Sequence, residues 1–230
     1  MKTIGLIGGM SWESSIEYYR IINQSVREKL GGVHSAKSVM LSVDFAEIEP
    51  LQHQGKWKET GEILIESAQS LEKSGADFIV LCTNTMHKVA DQIQAQVQIP
   101  LLHIADATAQ RVIDSGIRKI ALLGTRFTME EDFYKGRLAQ KYHLDVLIPQ
   151  PEEREIIHNV IYNELVVGRI QPQSREQYLR IIKRMIEEGA EGIILGCTEI
   201  GLLVKQSDCP VPVFDTTRIH AEAAVAFALA

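Results

Sequence analysis

Cysteine is scarce in this chain: Cys82, Cys197 and Cys209 are the only three among 230 residues. An odd number at spacings of 115 and 12 makes neither a disulfide framework nor a zinc signature. A reducing cytoplasm is the simplest setting. No run of Lys or Arg collects into a stripe, and 24 basic against 30 acidic residues leave a formal charge of −6. That balance argues against nucleic acid as a partner. No apolar run approaches the ~20 residues that span a bilayer, so no membrane partner is expected. The apolar start from Met1 to Gly9 is too brief and too broken by glycine for a signal peptide. Gly8-Gly9-Met10-Ser11 is not GxGxxG, which weakens a dinucleotide reading. His34, His53, His103, His143, His158 and His220 lack ligand-like spacing, so no metal is expected. Low-complexity segments and flexible linkers are missing as well.

What is present is apolar content of 45%, enough to bury a core in one domain or two small lobes. Residues 3–7 read as a first strand, and Gly8-Gly9-Met10-Ser11 as a tight turn whose amides can meet a small anion at a helix N-terminus. That helix runs over about 12–30, with Ser11 as N-cap and Gly31-Gly32 as its stop. A strand at 37–45 follows, then a loop at 47–55 carrying Gln52 and His53, and an amphipathic helix at 57–74 with Leu64, Ala68 and Leu71 inward. A strand at 77–82, a helix at 85–96, a strand at 101–104 and a helix at 106–115 complete this half. At Lys119 the pattern restarts. Ile120-Ala121-Leu122-Leu123-Gly124 repeats Ile4-Gly5-Leu6-Ile7-Gly8 at an offset of 116, and Pro212 repeats Pro100 at 112. The second half reads as a helix at 129–142, a strand at 144–148, helices at 151–167 and 174–188, a strand at 192–195, a strand at 212–214 and a helix at 216–230. Two copies of one unit give an α/β protein of two pseudo-symmetric lobes, each a parallel sheet flanked by helices, with their strand ends facing one cleft. The expected boundaries are 1–103 plus 212–230 for the first lobe and 104–211 for the second, the last helix packing back on the first.

The stretch EGIILGCTEI, residues 191–200, organises the chemistry. A short apolar run, partly β-branched, reads as a buried parallel strand that breaks at Gly196 and delivers Cys197, Thr198 and Glu199 to its carboxyl end, where open α/β sheets bind ligands. Residues 75–83 match residues 189–197, so the partner of Cys197 is Thr83 and not the neighbouring Cys82. Symmetric lobes place Thr83 and Cys197 on opposite walls of the cleft. Two groups facing each other across a small substrate can invert a stereocentre, one removing a proton and the other supplying it on the opposite face. A thiol with an ordinary pKa of ~8.5 serves as acid or base when a neighbour stabilises the thiolate. Asn84-Thr85 after Thr83, and Thr198-Glu199 after Cys197, offer hydroxyls, an amide and backbone N–H groups for an α-carboxylate. Thr125 and Thr128 add hydroxyls on the same face. Blander roles stay open: Cys197 as a small buried hydrophobe, Thr125 and Thr128 as helix caps, His87 as a residue that only caps and packs.

Thr83-Asn84-Thr85-Met86-His87, Gly196-Cys197-Thr198-Glu199, Gly8-Gly9-Met10-Ser11 and Gly124-Thr125-Arg126-Phe127-Thr128-Met129 together resemble the aspartate/glutamate racemase family. The resemblance runs from Ile4 to the final helix. It implies a two-lobed α/β enzyme, commonly a homodimer, with no pyridoxal phosphate, other cofactor or metal, acting on a small amino-acid substrate through one cysteine per lobe. By position, Cys197 is the second-lobe cysteine. Asn84, Thr85, Thr125, Thr128 and Thr198 match carboxylate-binding positions, and Met10 and Gln52 lie in loops lining the family's pocket. The chain departs from the family at the first cysteine, where it has Thr83. Cys82 is one residue early on a strand, so its side chain points to the other face. It departs again at Glu164-Leu165-Val166-Val167, where some members carry a lysine for the distal carboxylate; Arg126, Arg169 and Lys135 are candidates to replace it.

The expectation is a racemase of L-aspartate and L-glutamate that works faster from the L-enantiomer. A broad-specificity racemase is one alternative, and a decarboxylase or isomerase of the same superfamily is a second, since it too would keep one cysteine and a dissimilar opposite group. A small-ligand sensor on a decayed scaffold is the third.

Overall fold

The computed structural model describes all residues from Met1 to Ala230. They divide into two compact units, Met1–His103 with His220–Ala230, and Ile104–Ile219. The boundary near the C-terminus lies at 219/220 and not at 211/212, because the strand at Val213–Asp215 pairs within the second sheet.

In the first unit the elements are β1 (Ile4–Gly8), α1 (Trp12–Leu30), β2 (Ser38–Ser42), α2 (Phe45–His53), α3 (Trp57–Lys73) and β3 (Phe78–Leu81). A 3-10 turn at Thr85–Val89 then runs into α4 (Ala90–Gln94) and β4 (Leu101–Leu102). The second unit contains α5 (Ile104–Asp114), β5 (Lys119–Gly124), α6 (Arg126–Glu130), α7 (Lys135–Tyr142), β6 (Asp145–Leu147), α8 (Pro151–Asn163), α9 (Pro172–Glu187), β7 (Gly192–Gly196), α10 (Ile200–Leu203) and β8 (Val213–Asp215). The last helix, α11 (Thr216–Leu229), carries the chain back into the first unit. Each unit holds one four-stranded parallel sheet, ordered β2-β1-β3-β4 and β6-β5-β7-β8. The orders are the same, as expected of a repeated unit.

Alternation along the strands decides which helices each sheet face receives. In the first unit Ile4, Leu6, Phe78, Val80 and Cys82 meet Tyr18, Ile22 and Val26 of α1 and Ala221, Ala224 and Val225 of α11. Ile7, Ile79 and Leu81 meet Leu64, Ala68 and Leu71 of α3 on the other face. Cys82 therefore lies opposite Leu81, buried in apolar surroundings that push its thiol pKa up. In the second unit Ala121, Leu123, Ile193 and Leu195 pack on α8 and α9, and Ile120, Leu122 and Ile194 on α5 and α7. Each fully buried Ile or Leu in these clusters contributes roughly 1.5–3 kcal/mol.

Local signals explain where several helices begin and end. Gly31 and Gly32, at φ of +76° and +55°, end α1 in backbone conformations that a side chain resists. Pro151 opens α8 behind a capping box in which the Gln150 N–H donates to Glu153 Oε2 at 2.9 Å. Three expectations change. Residues 45–53 form a helix and not a loop: Asp44 caps it by accepting the Ala46 N–H, and Ile48 and Gln52, one turn apart, are both buried, so packing prevails over Pro50. The helix expected over 129–142 is two, because the backbone at Glu131 is extended and stops α6. Residues 85–89 coil as 3-10 before α4 begins. No helix is long and apolar enough to cross a membrane.

Candidate active site

Two clusters of predicted residues form, one at the carboxyl end of each sheet. In the second unit the Gly124 and Gly196 backbones pair in register, so the segments after β5 and β7 begin side by side. A Cβ on Gly124 would stand 2.7 Å from the Gly196 carbonyl oxygen, and one on Gly196 2.8 Å from that of Leu123. Glycine at both positions is what lets the two turns approach so closely.

Cys197, Thr198 and Glu199 follow, all nearly buried. The Cys197 thiol donates to Glu199 Oε2 at 3.0 Å, and the Thr198 hydroxyl donates to the same oxygen at 2.6 Å. Burial first, and then the charge of Glu199, push the Cys197 pKa well above the ordinary thiol value. In the resting site the thiol is thus protonated and points its proton at a carboxylate. Glu199, expected to bind substrate, is here the partner of the thiol. Cys197 also touches the core that includes Tyr178, whose hydroxyl donates to the Ile157 carbonyl at 3.0 Å.

Beside this pair, Thr125 is the N-cap of α6, its Oγ1 accepting the Thr128 N–H at 3.3 Å and lying 3.2 Å from Thr128 Oγ1. The capping role held open for Thr125 is present, and it brings both hydroxyls together. His158, which no local pattern singles out, supports this turn from α8 by accepting the Arg126 N–H on Nδ1 at 3.2 Å. Arg126 stays exposed, its guanidinium 5.8 Å from the Phe127 ring. Glu164 accepts a hydrogen bond from Ser174, and Leu165 is wholly buried, so neither lies ready as a cationic contact for a distal carboxylate.

In the first unit Thr83, Asn84 and Thr85 lie just past the end of β3, all buried. Met10 belongs to the core with Ile7, Ile48 and Leu81. Gln52 lies on α2, not in a loop, and its Nε2 contacts the Met86 sulfur at 2.9 Å. The Gly9 amide, at φ +97°, donates to Ser15 Oγ at 2.8 Å, so that amide is spent within the turn and does not await an anion. Ser11 stands at the N-cap position of α1 without a side-chain capping bond; Ser14 and Ser15 instead donate their hydroxyls to its carbonyl. Behind Thr83 the His87 imidazole meets two others at steep ring angles. His87 Nδ1 is 2.7 Å from the Thr83 carbonyl oxygen, and the His87 ring lies 4.5 Å from that of His103 and 5.7 Å from that of His220. No group of three His, Cys, Asp or Glu side chains is arranged to hold a metal ion.

Comparison with known proteins places these motifs in context. The family model for Asp/Glu/hydantoin racemases matches residues 7–224. A crystal structure of a candidate Asp/Glu racemase from Yersinia pestis is similar at 56% identity and a TM-score of 0.93, with 100% of both chains covered. An aspartate racemase homologue from Pyrococcus horikoshii is similar at 38% identity and a TM-score of 0.86, again over the whole of both chains. The broad specificity amino-acid racemase RacX of Bacillus subtilis is 27% identical over 188 residues, 79% of this chain and 76% of that one.

Proposed function

This chain belongs to the Asp/Glu/hydantoin racemase family, and we propose that it is a cofactor-independent amino-acid racemase acting on L-aspartate and L-glutamate by two-base proton transfer at Cα. The observation that carries the proposal is the Cys197–Glu199 contact at the end of β7, with Thr83 at the equivalent place in the first sheet.

The pair of thiol and carboxylate holds one proton and one negative charge. Moving that proton from sulfur to Glu199 produces a thiolate beside a carboxylic acid with no change in net charge, so the cost of baring a buried anion is not met. The thiolate then takes the α-proton of the L-amino acid. The substrate α-carboxylate is held by Asn84, Thr85, Thr125 and Thr128, whose amide and hydroxyls are near neutral and leave the anion uncontested. Thr198 contributes by keeping Glu199 in place. The carbanion receives a proton on its opposite face from the Thr83 hydroxyl, which draws a replacement from solvent, while the protons left on Cys197 and Glu199 return to one. From the D-enantiomer Thr83 must act as base. An alcohol is a far weaker base than a thiolate at neutral pH, so the reaction from the D-side is slower.

Acidic substrates are favoured by Arg126, the cation beside Thr125 and Thr128. A broader range is the second reading, supported by the absence of a lysine from residues 164–167 and by the likeness to the Bacillus subtilis enzyme. We place the enzyme in the cytoplasm as a homodimer. Trp12, Ile16 and Tyr19 are exposed on one side of α1, apolar surface that a second copy would cover, and sedimentation equilibrium measures whether it does.

The test is a chiral assay of all common L- and D-amino acids with no cofactor added. Interconversion of aspartate or glutamate is the expected result. Carbon dioxide release without inversion would move the protein to a decarboxylase reading, and no turnover on any substrate would move it to a sensor.

A further inference from the structure

His87 comes two residues after Asn84-Thr85 and its imidazole reaches back to Thr83, the residue that the proposed reaction uses on the first sheet. The backbone explains why. In an α-helix the N–H of residue 87 would donate to the carbonyl of residue 83. Here the chain leaves β3 as a 3-10 turn, and the His87 N–H donates instead to the Asn84 carbonyl at 3.1 Å. The Thr83 carbonyl is thereby left outside the turn's own ladder. The His87 side chain takes up that acceptor, Nδ1 to oxygen at 2.7 Å, with His87 and Thr83 both buried. A carbonyl oxygen only accepts, so Nδ1 must carry the hydrogen. Neutral His87 is thus fixed as the Nδ1–H tautomer.

The ring itself is clamped. It packs at 4.5 Å against His103 and at 5.7 Å, nearly edge-on, against His220. His220 is anchored at both nitrogens: Nε2 donates to the Leu102 carbonyl at 2.8 Å, which leaves Nδ1 to accept from the Tyr18 hydroxyl at 2.8 Å. Elements distant in the chain (α1, the end of β4 and α11) therefore converge behind one peptide plane.

The second unit lacks this support. On the offset that equates Thr83 with Cys197, the counterpart of His87 is Gly201, and the strand registers equate His103 with Asp215. A Cβ on Gly201 would lie 2.9 Å from Asp215 Oδ2, so a side chain there would have to displace that carboxylate. The imidazole is a feature of the threonine side alone.

We propose that His87 is the positioning residue of the Thr83 half of the site, its Nδ1–H holding the Thr83–Asn84 peptide so that the Thr83 hydroxyl meets Cα in register. This rests on the racemase reading given above. A thiol with a long, polarisable sulfur tolerates a loosely set strand end; a weakly acidic hydroxyl delivering a proton does not, and a misplacement of ~1 Å costs on the order of 100-fold in rate.

Side-chain geometry supplies the test. Asparagine carries its amide nitrogen where histidine has Nδ1, and glutamine carries it where histidine has Nε2. His87→Asn should keep kcat for L-aspartate within about 3-fold of the unmodified enzyme. His87→Gln and His87→Ala should lower kcat by about 10- to 100-fold with KM changed by less than about 3-fold. Imidazole nitrogen NMR of the unmodified protein should show His87 with hydrogen on Nδ1 and none on Nε2, a readout that needs no turnover and no variant. The proposal is overturned by an Nε2–H tautomer, by a His87→Gln enzyme with normal kcat, or by a folded His87→Asn enzyme as slow as His87→Ala. An unmodified protein that racemises nothing would instead defeat the functional reading, while the tautomer still reports on His87.

Discussion

The two units share a strand order and differ at the tips of their third strands. At the end of β7 stands Cys197, backed by a carboxylate that accepts its proton; at the end of β3 stands Thr83, backed by an imidazole on its carbonyl. The backbone frame is the same, because each strand pair is set by the same apolar alternation, yet the supports act on different atoms. Glu199 touches the Cys197 sulfur and raises its proton affinity. His87 touches the Thr83 carbonyl, and on the proposed reading it changes only where the Thr83 hydroxyl sits. In the proposed reaction the duplicated fold carries two unlike proton-transfer devices, one tuned by charge and one by position.

The largest expected break comes on the charge-tuned side. Cys197→Ser should lower racemisation by at least ~100-fold, the scale of a lost acid–base group, measured from either enantiomer. Glu199→Gln is the sharper probe. It removes the internal proton acceptor, so turnover at pH 7 should fall by about 100-fold. It also removes the charge that raises the thiol pKa, so the variant should regain rate as pH rises, whereas the unmodified pair depends little on bulk pH near neutrality. Alkylation of Cys197 at pH 8 should become faster in the same variant. A Glu199→Gln enzyme that is fully active at pH 7 would detach Glu199 from the chemistry.

On the other side, Thr83→Cys should make the two halves more alike. The rate from D-aspartate should rise by about 10-fold and that from L-aspartate by less, since a thiol is by far the better base. Equal rates from both enantiomers of the unmodified enzyme at saturation would show that Thr83 does not limit the reaction. Equilibrium remains a 1:1 mixture in every case.

How much of this contrast was legible in the residues differs between the two sides. The 114-residue register singled out Thr83 over Cys82, and the face that Cys82 takes, with Val80 and opposite Leu81, was legible because alternation with period two is a short-range property. The bounds of α1 were equally plain from Ser11 and Gly31-Gly32. Gln52 was misplaced in a loop because Pro50 and three flanking polar residues hide a helix that only burial of Ile48 and Gln52 reveals. Glu199 was visible as part of the motif, but not which group it touches, since two residues' separation in a turn leaves side-chain direction undecided. His158 and His220 were unreadable: their partners, Arg126, Leu102 and Tyr18, lie 32, 118 and 202 residues away.

A smaller effect marks the first unit through stability. Burial holds His220 down to about 4, against the usual 6.5, partly offset by its bond to Leu102. The folded chain refuses a proton that the unfolded chain accepts, so this contribution is complete above pH 6.5 and is lost as pH falls toward 4. The full loss is roughly 3 kcal/mol. Urea unfolding across that range should show the decline, and His220→Gln, which keeps a donor for the Leu102 carbonyl, should flatten it. An unchanged slope would assign the acid sensitivity elsewhere.

The division of labour itself is tested most directly by separating proton removal from proton delivery. With 3-chloro-L-aspartate, loss of the α-proton to Cys197 expels chloride from Cβ, and the enamine left behind hydrolyses to oxaloacetate and ammonia without any help from the opposite face. Chloride release by Thr83→Ala should stay within about 3-fold of the unmodified enzyme while its racemisation of L-aspartate falls by at least ~100-fold. If Thr83→Ala loses chloride release together with racemisation, or racemises L-aspartate at the normal rate, the two halves do not divide the reaction as described.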